Sequence, residues 1–168
     1  MLGKFALLLF PLLMAFAASS DLLTMRISNR VVLLLVAIFC AVAVGIDMPL
    51  EEFGLHIACA TIVLSAAFAM FALGWIGGGD AKLAAATTFW LGFGVTVPYL
   101  LYASLIGGAM TLFILMARRW PLPAFLVRVT WVHRLHDSRT GIPYGIALAI
   151  AGLLAYSDSF VYQRLIAG

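Results

Sequence analysis

The chain alternates long apolar runs with short polar interruptions, and the runs exceed the length of strands or of ordinary core helices. A helix crossing a hydrocarbon layer of about 30 Å needs about 20 apolar residues. Runs that reach or nearly reach this length lie near 3–20, 31–47, 54–76, 81–97, 99–117 and 144–163. The fourth and fifth form one uncharged stretch ending at Ala117. A split at Pro98 avoids one helix of about 35 residues, too long for a bilayer, at a residue that interrupts the helical ladder. The pattern predicts an all-α integral membrane protein, a bundle of about six transmembrane helices. It forms a single domain over 1–168, and its longest non-spanning piece covers about 118–143.

Composition agrees: 65% of the 168 residues are hydrophobic and 10% charged, against roughly half and a quarter in soluble domains. The net charge of +3 matters less than its placement. If the loop holding Arg26 and Arg30 is cytoplasmic, six spans put those two with Lys82, Arg118, Arg119, Arg128, Arg134 and Arg139 inside, and Lys4 and Arg164 outside. The first run, with Lys4 before it and Ala15-Phe16-Ala17 near its end, also resembles a secretory signal. Cleavage there would put the eight inner basic residues on the wrong side, so the run is expected to stay as a span. The segment 118–143 mixes arginines with Phe125 and Trp131 and reads as a basic cytoplasmic or interfacial loop facing lipid headgroups. Lipid rather than nucleic acid is its expected partner. Cys40 and Cys59 read as small buried hydrophobes, His56 as an interface residue, and His133 with His136 and Asp137 as too few ligands for a metal.

Of the seven acidic residues, Asp47, Glu51, Glu52 and Asp158 fall outside, and Asp137 lies among arginines. Asp21 and Asp80 remain. Asp21 ends the first span after Ala17-Ala18-Ser19-Ser20, and Asp80 opens the fourth after Gly77-Gly78-Gly79. Both are thus expected at one depth and on one face. Singly, Asp80 reads as an N-cap behind a glycine turn and Asp21 as a helix-end residue paired with Arg26. As a pair they fit water activation, with one carboxylate as general base and the other, protonated, polarising a carbonyl. The helix dipoles favour the charge on Asp80, at a positive N-terminal end, over Asp21, at a negative C-terminal one.

Three stretches, "SDLLTMRISN" (20–29), "GGGDAK" (77–82) and "IPYGIALA" (142–149), resemble motifs of the type IV prepilin peptidases, membrane aspartic proteases that remove the leader of pilin precursors. In that family the first motif is Asp followed by Arg-Ile-Pro-Asn, the second is Gly-x-Gly-Asp-x-Lys, and a Pro-Tyr-Gly motif opens the last span. Ser28 stands where the family usually has Pro, which is expected to loosen the turn after Asp21.

The resemblance implies that Asp21 and Asp80 are the catalytic pair, supported by Gly77, Gly79, Lys82, Asn29, Pro143, Tyr144 and Gly145. It implies no metal or other cofactor. The substrates would be type IV pilin-like precursors, cut at the cytoplasmic face of the inner membrane. The larger members carry a Cys-x-x-Cys insertion and methylate the new terminus. Nothing here corresponds to it, so the chain resembles the short peptidases of tight-adherence (Flp) pili, and methyltransferase activity is not expected. The alternatives are a preflagellin peptidase or other Gly-x-Gly-Asp protease, and a non-catalytic membrane subunit or small transporter.

Overall fold

A computed structural model describes residues 2–167 as helices joined by short turns. In chain order they are α1 (Leu2–Thr24), α2 (Asn29–Gly45), α3 (Leu50–Ala72), α4 (Gly78–Leu91), α5 (Phe93–Ala117), α6 (Ala124–Val127), α7 (Thr130–His136), α8 (Gly145–Tyr156) and α9 (Phe160–Ala167). The protein is an all-α membrane protein. Among the described residues, three segments are long and apolar enough to cross a bilayer unaided: Phe5–Thr24, α3 and α5. The pair α8 and α9, bent by 46°, makes a fourth. Helices α2, with 17 residues, and α4, with 14, fall short of the roughly 20 residues that a span exposed to lipid needs, so six full-length spans are not what the helix lengths give.

The short α4 is the centre of the bundle. Every residue from Leu83 to Leu91 is buried, as is Ala81, so the helix is enclosed on all sides rather than on one stripe. Its small residues, Ala81, Ala84, Ala85, Ala86, Thr87 and Thr88, let α2, α3, α5 and α8 approach closely, which is how helices associate where lipid and side chains are equally apolar. Toward its C-terminal end an aromatic cluster fills the interior. Phe10 lies 5.2 Å from Trp90 and 4.6 Å from Tyr156, ring centre to ring centre, and Phe39 lies 4.2 Å from Phe89. The Trp90 indole N–H donates to Leu35 O at 2.9 Å, which joins α4 to α2.

The break between α4 and α5 falls at Gly92, not at Pro98. Gly92 has φ 71° and ψ 178°, a conformation essentially confined to glycine, and Pro98 is carried inside α5. A proline removes one ladder bond, whereas Gly92 redirects the backbone. The same turn holds His56, which is buried inside the bundle. Its Nδ1 lies 2.7 Å from Phe89 O, and its ring fills the space beside Gly92 where a side chain would stand.

Candidate active site

Asp21 lies in the last turn of α1 and Asp80 in the first turn of α4. Both line one cavity of about 820 Å³ at the same end of the bundle, with Met25, Gly77, Arg118 and Tyr144 among its walls. Asp21 is buried and Asp80 partly open to the cavity. The two carboxylates expected to lie together therefore share one cavity.

What holds each carboxylate is local. The Gly145 N–H, at the start of α8, donates to Asp21 Oδ2 at 2.7 Å. The positive end of a helix is thus aimed at Asp21, and this offsets the negative end of α1. The dipole of α8 therefore acts on Asp21 beside those of α1 and α4, a contribution that the local sequence does not show. Asp80 folds back over Gly77, where a Cβ would stand 2.7 Å from its Oδ2. Two of the glycines also make room for another side chain. Ile27 lies against both Gly79 and Gly145, whose Cβ atoms would come within 3.2 Å and 2.8 Å of it. Ile27 was not singled out from sequence, although it sits in the motif following Asp21.

Tyr144 spans the site. Its hydroxyl donates to Ala103 O at 3.1 Å, and its ring occupies the space where Gly107 would carry a side chain. Gly107 was also missed, though a Gly107-Gly108 pair inside an apolar helix is the signature of a close approach. Pro143 is buried just ahead of α8. Lys82 and Asn29 form a separate pair, Nζ to Oδ1 at 3.1 Å. Lys82 lines a different groove, between α2 and α3, and not the cavity of the aspartates. Ser28 does not loosen the turn after Asp21. Its φ of −68° is one that proline also adopts, and its hydroxyl accepts from Arg30 N at 3.2 Å as the N-cap of α2.

The segment 118–143 closes over this end of the bundle. Arg134 donates to Leu23 O at 2.7 Å, satisfying a carbonyl at the end of α1. Arg118 donates from Nε to Leu135 O at 2.9 Å and from Nη2 to the carbonyls of Thr140 and Gly141. Two of the arginines expected to face headgroups thus fasten backbone instead. Met25, with φ 54°, turns the chain from α1 at the cavity wall and was likewise not anticipated.

Compared with protein families, residues 8–112 match the model of the type IV leader peptidase family, more than half of the chain. The chain belongs to the type IV leader peptidase family. The match includes both aspartates and ends before Tyr144 and Gly145, which join the site through the geometry described above. Neither the curated proteins nor the solved structures gave a match. Membership supports a leader peptidase-like activity in the membrane, with prepilins in general as the implied substrates.

Proposed function

We propose that the protein is an aspartic endopeptidase that removes the leader of type IV, Flp-like prepilins at the cytoplasmic face of the inner membrane, with Asp21 and Asp80 as the catalytic pair. The observation that carries this reading is the meeting of two carboxylates from α1 and α4 in one cavity at one end of the bundle, in a chain of the leader peptidase family.

Two close carboxylates share one proton more cheaply than they hold two charges. The ionised member takes a proton from water as its oxygen attacks the scissile carbonyl carbon, while the protonated member gives its proton to the carbonyl oxygen. The tetrahedral diol then collapses. The C–N bond breaks, the departing nitrogen takes a proton from the first carboxyl, and the second recovers one from the diol, restoring the pair. Gly77 gives the Asp80 carboxylate room to fold back over the backbone, and Gly79 gives room to Ile27. The cytoplasmic placement draws support from the eight basic residues that this topology puts inside. The proposed activity stops at cleavage, without methyl transfer.

Co-expression with small pilin-like precursors, with leader removal followed on a gel, tests the assignment. Wild type processes them, and Asp21→Asn and Asp80→Asn, present at normal levels, do not. Full processing by either variant would remove the catalytic assignment.

A further inference from the structure

The polar cavity is not the only space that reaches Asp80. A second groove, of about 470 Å³, runs between α3 and α5 over a floor that includes Ala84 and Leu148, and it shares Ile76, Asp80 and Tyr144 with the cavity of the carboxylates. Its lining is almost wholly carbon. The far end is tied, because Cys59 Sγ lies 3.1 Å from Thr96 Oγ1 across the two helices. Both helices run toward the Asp80 end, and beyond that tie Ala66 and Ala67 of α3 and Ala103 and Ser104 of α5 line the groove. From Cys59 to Met70 the groove follows α3 for about 16 Å, or three helical turns.

From these features we infer that the α3–α5 groove is the docking slot for the apolar helix of the substrate, the segment that follows the scissile bond. The inference rests on the peptidase reading and adds the place where the substrate lies. Two observations select a helix over a lipid chain. The slot ends at a proposed catalytic carboxylate, so an occupant running along it delivers its end to Asp80. Its walls and floor also carry small residues, Ala66, Ala67, Ala84, Ala103 and Ser104, which close helix packing in a bilayer requires and an acyl chain does not. The groove between α2 and α3, about 280 Å³, reaches Lys82 and neither aspartate. In this arrangement the leader occupies the polar cavity beside Arg118 and Tyr144, the apolar helix occupies the slot, and the bond between them lies at Asp80.

The test compares two substrates in reconstituted vesicles: a pilin-like precursor with its apolar helix, and a peptide of the same cleavage site ending before that helix. In Ala66→Trp and Ser104→Trp the ratio of kcat/KM for the precursor to that for the peptide falls at least tenfold, mainly through KM. In Leu105→Trp, on the outward face of α5, the ratio stays at the wild-type value. Active slot variants with an unchanged ratio would overturn the slot. If the slot variants fail to fold, a photoreactive benzoylphenylalanine at Ile62, an exposed position on its lip, decides. Capture of the precursor there and not at Leu105 supports the slot, and equal capture at both positions, or capture of lipid alone, overturns it. Failure of the wild type to cut either substrate would instead defeat the peptidase reading.

Discussion

The amide of Gly145 donates to Asp21 Oδ2 at 2.7 Å, joining the first residue of α8 to the last turn of α1 across 124 positions of sequence. A Cβ at Gly145 would stand 2.7 Å from that oxygen and 2.8 Å from Ile27 Cδ1, so an alanine must displace the carboxylate. Gly145→Ala is therefore expected to lower kcat for leader cleavage about a hundredfold, the scale of a misplacement near 1 Å. The check is a rate measurement on purified protein whose melting temperature is near that of the wild type. A wild-type rate would show that this contact does not position Asp21.

Gly107 makes a parallel prediction from the other side of the site. It touches neither aspartate, yet a Cβ there would overlap the ring of Tyr144. Gly107→Ala is expected to break the Tyr144 bond to Ala103 O and to reduce cleavage at least tenfold. Tyr144→Phe, which keeps the ring and loses only the hydroxyl, is expected to retain more activity than Gly107→Ala. The reverse order would mean that the hydroxyl, not the ring's placement, is what the site needs.

The pair of Lys82 and Asn29 leads to the opposite expectation. Their contact fastens the start of α2 to α4 away from the cavity, so Asn29→Ala and Lys82→Met should each cost about 0.5–1.5 kcal/mol of stability. Cleavage per folded molecule should stay near the wild-type rate. A double-mutant cycle on melting checks it: the two losses overlap if the contact is real and add if it is not.

At Gly92 the prediction concerns folding. Its φ of 71° with ψ near 180° suits glycine, and a Cβ would meet His56 Nε2 at 3.0 Å. Gly92→Ala should therefore destabilise the bundle by about 1–3 kcal/mol, visible as a lower melting temperature. Pro98→Ala should cost little, because the turn does not depend on it.

How much of this was legible in the sequence differs residue by residue. Apolar run lengths showed the helical class, and the depth argument paired Asp21 with Asp80, because both rest on distances along a single helix. The α4–α5 break was misplaced because proline was weighed above a glycine whose φ only tertiary packing against His56 reveals. Lys82 could have been separated from the site in advance. Two residues on from Asp80 it is turned about 200° around the helix, and proximity in a motif concealed that. Gly145 and Gly107 were beyond local reading, since each is fixed by what a distant element places against it. The dipole argument was incomplete for the same reason: it counted α1 and α4 and could not see the N-terminus of α8.

The most direct measurement of the central claim is single-turnover cleavage of a pilin-like precursor by wild type, Asp21→Asn, Asp80→Asn and the double variant in the same vesicles. Residues that act as one unit lose their function together, so the effects of removing them do not add. The account predicts that both single variants and the double fall to one common floor, at least about a thousandfold below wild type. A single variant that cleaves at the wild-type rate, or two partial losses that multiply in the double, would contradict it.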